Sequence, residues 1–229
     1  MSTLEAIIFD FDGVIADTEP LHYGALQQVL AELGISLSER QYYADYLGYD
    51  DRGCFMAALS ANGQMISPGL IDDLMKKKAR AYLHGLPARL KIFPGVRELV
   101  REAARHYELG IASGALRHEI ELILEQANLR KQFSHITSAE DVTQGKPSPD
   151  PFLRALSGLN TVDSTRRLLP AGCLVIEDSL PGIRGAHAAG MKVLAVANTH
   201  DIDDLHEADA IVSSLDQLQL PELVSRLWK

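Results

Sequence analysis

Residues 7–14, Ile-Ile-Phe-Asp-Phe-Asp-Gly-Val, decide the fold, because a short apolar run of strand type ends there in two carboxylates. Residues two apart on a strand share a face, and a turn at Gly13 would leave Asp10 and Asp12 clustered where the strand ends. Neighbouring like charges repel unless a cation or a shared proton offsets them. The stretch therefore predicts chemistry at the carboxyl end of a strand, where open α/β sheets bind their ligands.

The composition and charge of the chain narrow the classes of function. Its 229 residues suffice for one large domain, or for a core domain that carries a smaller one. The net charge of −9 argues against nucleic acid and membrane surfaces as partners. Cys54 and Cys173 lie far apart, which favours a reduced, cytoplasmic compartment, with a single disulfide as the open alternative. We recognise no signal peptide or membrane-spanning run, and we expect a monomer or a weak homo-oligomer.

Further apolar runs predict buried parallel strands, because each run is continuous rather than alternating. These runs are 109–112, 173–176, 193–196 and 210–212. Helical patterns alternate with them near 95–106, 116–128, 149–158 and 181–189. This alternation predicts an α/β fold with a doubly wound, Rossmann-like parallel sheet.

One segment interrupts the alternation directly after the first strand. From about residue 19 to 86 the patterns are helical only, at 20–33, 38–46, 51–61 and 68–85. A crossover between strands needs far fewer residues, so a separate helical subdomain is the favoured interpretation. We expect the chain to return through a linker near 86–94, with Pro87 and Pro94 as helix breakers. The predicted domains are an α/β core, 1–16 and 90–229, and an inserted all-helical cap, 17–89.

Polar side chains follow three of the predicted strands, and a lysine lies in a loop between them. In a parallel sheet these segments meet at one edge, which would gather the side chains around one cavity. They are Asp10, Asp12, Ser113, Lys146, Glu177 and Asp178. Four carboxylates attract a hard cation such as Mg²⁺, and a lysine with a hydroxyl binds phosphoryl oxygens. Each feature alone has a plainer explanation, such as a turn serine or a solvated lysine. Their occurrence together, in this order along the chain, favours a functional site.

Four motifs together resemble the haloacid dehalogenase-like superfamily over essentially the whole chain. They are Phe9-Asp10-Phe11-Asp12-Gly13-Val14, Ala112-Ser113-Gly114, Gly145-Lys146-Pro147-Ser148-Pro149-Asp150 and Ile176-Glu177-Asp178-Ser179. The chain is similar to the branch with a helical cap after the first motif, which holds β-phosphoglucomutase and many small-molecule phosphatases. The resemblance implies phosphoryl transfer to or from a small phosphorylated metabolite.

The resemblance also implies roles for individual residues. Asp10 would be the nucleophile, and Asp12 would protonate the leaving oxygen and later activate water. Ser113, Gly114 and Lys146 would bind the phosphoryl group. The implied ligands of Mg²⁺ are Asp10, the backbone carbonyl of Asp12, Asp178, and Glu177 either directly or through water.

Substrate contacts in the cap distinguish a phosphatase from a mutase. His22 matches a hinge segment shared by the mutase and several sugar phosphatases, and Lys78 matches a substrate-facing lysine. Arg52 is displaced by one position from the arginine of a mutase, and the polar residues expected after Ser113 are missing; Arg117 or Arg52 would have to replace them. The favoured function is a Mg²⁺-dependent phosphatase of a sugar or polyol phosphate, acting through an aspartyl-phosphate. A phosphosugar mutase is the alternative, and a receiver-like phospho-acceptor without turnover is a distant third.

Overall fold

The computed structural model describes residues 3–46, 49, 51–162, 167–216 and 218–228. The chain divides into two compact units. An α/β unit comprises Met1–Asp17 and Lys91–Lys229, and a helical unit comprises Thr18–Leu90. In the part of the chain that the structure describes, no helix has the length and apolar character needed to cross a membrane.

A six-stranded sheet forms the centre of the α/β unit, and all its neighbouring strands run parallel. The strands of the chain are β1 Ala6–Phe9, β2 Ala16–Asp17, β3 Lys91–Ile92, β4 Glu108–Ala112, β5 His135–Thr137, β6 Cys173–Glu177, β7 Lys192–Val196 and β8 Ala210–Val212. The order across the sheet is β5-β4-β1-β6-β7-β8, which confirms the doubly wound fold, and β2 pairs with β3 in a separate antiparallel ribbon.

The helices of the chain belong to one unit or the other. Those of the helical unit are α1 Glu19–Glu32, α2 Glu39–Asp45, α3 Asp51–Ala61 and α4 Pro68–Arg89. Those of the α/β unit are α5 Val96–Ala103, α6 Arg117–Gln126, α7 Asp150–Val162, α8 Leu180–Ala188 and α9 Leu220–Leu227. Helix α4 continues through Arg89, so the expectation that Pro87 breaks the helix is wrong. Pro87 lies in the last turn, where its missing amide hydrogen removes one hydrogen bond.

Burial on both faces explains why the central strands are continuously apolar. Every residue of β1 and of β6 is buried. Alternate side chains, such as Ile8 and Val175, share one core cluster with Phe152 of α7 and Ile183 of α8. Such a sheet leaves its strand ends as the place where polar side chains meet solvent.

The helical unit has its own core. Helix α1 packs along α4, and α3 packs on α4 as well. Buried side chains from α1, α3 and α4 form one cluster, which includes Leu30, Phe55, Leu59 and Leu74. The unit therefore has the hydrophobic centre that a separate subdomain needs.

Candidate active site

The loop after β1 presents the first acidic side chains. Asp10 follows the last residue of β1, and its amide donates to the carbonyl of Ile176 on β6 at 2.9 Å. Gly13 has a φ of +77° and a methyl group there would overlap the carboxylate of Asp178. Glycine is required at this turn for both reasons. The turn expected from the sequence thus brings the loop of β1 against the acidic residues that follow β6.

Lys146 joins two carboxylates. Its Nζ lies 2.6 Å from Oδ1 of Asp10 and 2.6 Å from Oε1 of Glu177. Burial alone would lower the pKa of Lys146, but the two carboxylates outweigh it and the pKa is raised. Lys146 therefore stays an ammonium at the sheet edge, where it holds the side chain of Asp10 in place and offsets its charge.

Glu177 is fully buried and accepts hydrogen bonds on both oxygens. Oε1 accepts from Lys146, and Oε2 accepts from the amides of Asp178 and Ser179 at 2.8 Å each and from the Ser179 hydroxyl at 2.9 Å. Burial raises the pKa of Glu177, but Lys146 and the two amides lower it further than burial raises it. Glu177 is therefore an ionised anchor for Lys146.

The carboxylates of Asp10, Glu177 and Asp178 each place an oxygen within 4.8 Å of the others, which suits a metal ion. Burial raises the pKa of Asp10 well above its usual range; Lys146 opposes this shift, while Glu177 and Asp178 add to it. Burial, followed by the charge of Glu177, raises the pKa of Asp178 to about 7. Three carboxylate oxygens this close together fit a hard divalent cation, which would relieve the repulsion that helps to raise the pKa of Asp10 and of Asp178.

Asp12 lies two residues beyond Asp10 and is partly exposed. A bridge to Ala16 fixes its backbone, and its charge contributes to the raised pKa of Asp178. Its carboxylate is not one of the three that group within 4.8 Å. A partly exposed carboxylate whose charge acts on the cluster is placed to exchange protons.

Ser113 and Gly114 follow β4, the neighbour of β1 in the sheet. The Ser113 amide donates to the carbonyl of Thr137 at 3.0 Å, and the Ser113 hydroxyl accepts from the amide of Ala115 at 2.9 Å. The hydroxyl therefore has the turn role that was the plainer explanation, and its hydrogen remains available to donate. A Cβ atom at Gly114 would meet nothing within 4 Å, so the space beside this residue is open.

Two polar residues that the sequence analysis missed follow β7. The Thr199 hydroxyl donates to Oδ2 of Asp178, and Nδ2 of the Asn198 side chain donates to the carbonyl of Gly13 at 2.8 Å. Together they tie the loop after β7 to both acidic loops. The signal was available, because these residues lie two and three positions after the end of a predicted strand.

Arg117 is committed to structural contacts. Its guanidinium lies 2.5 Å from Oδ2 of Asp141 and donates to the carbonyl of Ile136 at 3.0 Å. These contacts fix the start of α6 against the loop after β5. The positive charge of the guanidinium is therefore already paired with the carboxylate of Asp141.

The helical unit contains the remaining predicted substrate contacts. Lys78 is 3% exposed, and its Nζ contacts the carboxylate of Asp51 and lies 2.8 Å from Nδ1 of His22. Burial, then the charge of Lys78, lowers the pKa of His22 to about 4, so the ring is neutral at pH 7. The ring of Tyr82 lies against that of His22, with centroids 4.7 Å apart.

Arg52 lies on the surface of the helical unit and pairs with Asp72 at 2.7 Å. Of the residues 47–50 that precede α3, Leu47, Gly48 and Asp50 lie outside the described residues, and Tyr49 is exposed. The helical unit thus gathers His22 and Lys78 but holds Arg52 in a separate, solvent-exposed pair.

Comparisons with known proteins agree on one family. The model of the haloacid dehalogenase-like hydrolase family matches residues 7–196. Protein CbbY of Rhodobacter capsulatus is 32% identical over 96% of this chain and 99% of its own. Hexitol phosphatase B of Escherichia coli K12 is 30% identical over 96% of each chain. A crystal structure of a CbbY variant from Rhodobacter sphaeroides with xylulose-(1,5)-bisphosphate has a TM-score of 0.77 at 26% identity, covering 94% of this chain and 96% of that one.

Proposed function

The chain belongs to the haloacid dehalogenase-like hydrolase family, and from this premise we propose that it is a Mg²⁺-dependent phosphatase of a small polyhydroxylated phosphomonoester. The observation that carries the proposal is the position of Lys146, which lies 2.6 Å from both Asp10 and Glu177. A lysine held between two carboxylates offsets the charge of a nucleophilic oxygen and of the anionic ester that approaches it.

The proposed reaction has two steps. An oxygen of Asp10 attacks phosphorus, the ester P–O bond breaks, and the leaving alkoxide takes a proton from Asp12 to become an alcohol. Water then attacks phosphorus of the aspartyl-phosphate and gives a proton to Asp12. Inorganic phosphate leaves, and the carboxylate of Asp10 is restored.

The same side chains account for binding of the phosphoryl group and of the cation. Lys146, the Ser113 hydroxyl and the open backbone at Gly114 would bind phosphoryl oxygens. Asp10, Asp178 and the carbonyl of Asp12 would hold Mg²⁺, with Glu177 as a direct ligand or one that acts through water. When bound, the cation would supply charge neutralisation between the carboxylates and the ester.

The cationic side chains that could bind a second phosphate already form ion pairs with carboxylates, and this favours a phosphatase over a mutase. A mutase must hold two phosphates, and the side chains available for the second one are Lys78, Arg52 and Arg117. Each is bound to a carboxylate, in the pairs Lys78–Asp51, Arg52–Asp72 and Arg117–Asp141. Among the relatives, the name of hexitol phosphatase B describes a phosphorylated polyol, whereas the CbbY structure holds a bisphosphate. Because these lysine and arginine side chains are already paired with carboxylates, they are compatible with a substrate that carries one phosphate.

The cellular setting is also a proposal. Cys54 and Cys173 are both buried thiols rather than disulfides, as expected in a reducing compartment such as the cytoplasm. The cap role of the helical unit, which would exclude water and supply specificity contacts, is proposed on the family resemblance.

Phosphate release from a panel of phosphorylated sugars and polyols, with Mg²⁺ or with EDTA, tests the proposal. We expect hydrolysis that EDTA abolishes and that falls by at least about 10³-fold in Asp10→Asn. Asp203→Asn, an exposed aspartate of the same unit, is the matched control and should retain the activity. Substantial turnover by Asp10→Asn would contradict the assignment of the nucleophile. Isomerised product with little free phosphate would instead support the mutase.

A further inference from the structure

Helix α3 of the helical unit is followed by an Asn-Gly pair. The helix ends at Ala61, and Asn62 and Gly63 form an exposed turn after it. Gly63 has a φ of +65°, and a Cβ atom there would meet nothing within 4 Å. The other asparagines of the chain precede larger residues, in the pairs Asn128-Leu129, Asn160-Thr161 and Asn198-Thr199. Asn62 is therefore the asparagine whose following peptide nitrogen has no side chain beside it.

Hydrogen bonds from this turn close the end of the helix. The Gly63 amide donates to the carbonyl of Ser60 at 3.1 Å, and the next amide along the chain donates to that of Leu59 at 3.0 Å. Nδ2 of Asn62 donates to the carbonyl of Ala58 at 2.9 Å. Such a cap satisfies carbonyls that the helix itself leaves without a donor. The side chain of Asn62 is thus part of the cap that holds the last turn.

An Asn-Gly pair in water has a reaction of its own. The backbone nitrogen of the glycine attacks Cγ of the asparagine and loses its proton to solvent, and the side-chain nitrogen takes up a proton and leaves as ammonia. Water then opens the cyclic imide at either carbonyl and yields aspartate or isoaspartate, so that in sum water enters and ammonia leaves. Glycine favours the ring closure because no Cβ shields its nitrogen.

The native cap slows this reaction and does not prevent it. Ring closure requires the Gly63 amide to leave the Ser60 carbonyl and the Asn62 side chain to leave the Ala58 carbonyl. Hydrogen bonds at the end of a helix open with a free energy far below that of global unfolding. Because the turn is exposed, water reaches it for both steps.

We propose that Asn62 is a modification site, where the Asn-Gly pair of the folded protein converts to aspartate or isoaspartate and thereby loosens the last turn of α3. The product carboxylate cannot donate to the Ala58 carbonyl, and its charge lies at the negative end of the helix. Ala58 and Leu59 belong to the core of the helical unit, so the loosening acts on that core. The reaction uses no residue of the α/β unit, so its failure would leave the proposed phosphatase function untouched.

The conversion is measured by peptide mass spectrometry after incubation of the folded protein at mildly alkaline pH in water labelled with heavy oxygen. We expect residue 62 to lose its amide and to gain the heavy oxygen, more slowly in the folded protein than in urea. Asn128 is the matched control, because it is exposed and follows α6 but precedes Leu129; it should keep its amide. Asn62→Gln should also stay unconverted, since its longer side chain must close a larger ring. Conversion in urea alone, or equal conversion of Asn128, would overturn the proposal.

Asn62→Asp imitates one product and tests the loosening. Hydrogen exchange of the Gly63 amide, corrected for the intrinsic rate of the sequence, should become about tenfold faster than in the wild type. Gln64→Glu places the same charge two residues later and keeps the Asn62 donor, so its effect should be smaller. Exchange of Asn62→Asp at the wild-type rate, or equal acceleration in both variants, would contradict loosening through the lost hydrogen bond.

Discussion

Gly182 is a position where one added methyl group should disturb the site. It lies in the first turn of α8, directly beneath the carboxylate of Glu177. A methyl carbon there would lie 2.5 Å from Oε2 of Glu177 and closer still to Oε1 and the carboxyl carbon. These separations are well below van der Waals contact, so Gly182→Ala must displace the carboxylate.

The cost follows from the contacts that this carboxylate makes. It accepts from Lys146 at 2.6 Å, from the amides of Asp178 and Ser179 at 2.8 Å, and from the Ser179 hydroxyl at 2.9 Å. Disrupting a buried, hydrogen-bonded ion pair costs about 3–5 kcal/mol. Partial relaxation of α8 would reduce this, so we expect Gly182→Ala to lower the free energy of unfolding by about 3 kcal/mol.

A double-mutant cycle in urea isolates the cause. In the Glu177→Ala background the obstructing carboxylate is gone, so adding Gly182→Ala should cost less than about 0.5 kcal/mol. Gly145→Ala is the control for stability, because a methyl group there meets nothing within 4 Å. An equal cost of Gly182→Ala in both backgrounds would refute the argument from overlap with Glu177.

Two further predictions concern the support of the site and the helical unit. Thr199→Val removes the hydroxyl that orients Asp178, so the Mg²⁺ concentration for half-maximal phosphate release should rise about tenfold; an unchanged requirement would contradict this role. Because the pKa of His22 is lowered to about 4, the unfolded chain binds a proton between about pH 6.5 and pH 4 that the folded chain does not. The contribution of His22 is therefore complete above about pH 6.5 and is lost as the pH falls. Between pH 7.5 and about pH 5, wild type should lose about 2 kcal/mol more stability in urea unfolding than His22→Gln; parallel losses would contradict the burial of a neutral imidazole.

The sequence predicted the sheet well where strands are buried on both faces. The apolar runs ending at Ala112 and Val196 became β4 and β7, because continuous apolar strands have few other stable environments. Strand β5, His135–Thr137, was missed because three residues with polar members at both ends carry no such signal. The β2–β3 ribbon and α9 were missed as well, since their local patterns are short.

The acidic loops were predictable because they follow strand ends. The carboxylates that pair with Lys78 and Arg117 were not. Lys78 pairs with Asp51 and Arg117 with Asp141, and these partners are 27 and 24 residues apart in sequence. Such pairs depend on how helices and loops pack, which no local pattern encodes. Thr199 was overlooked because a hydroxyl after a strand is common on surfaces. The roles of the candidate site residues stay predictions.

Chemical trapping of the phosphoenzyme tests the central claim most directly. Borohydride reduces an aspartyl-phosphate to homoserine, and peptide mass spectrometry locates the converted residue. After rapid quenching during turnover with Mg²⁺ and substrate, we predict conversion of Asp10, at the end of β1, and none when substrate is omitted. Continued release of phosphate with Asp10 unmodified, or conversion of another carboxylate in its place, would contradict the account.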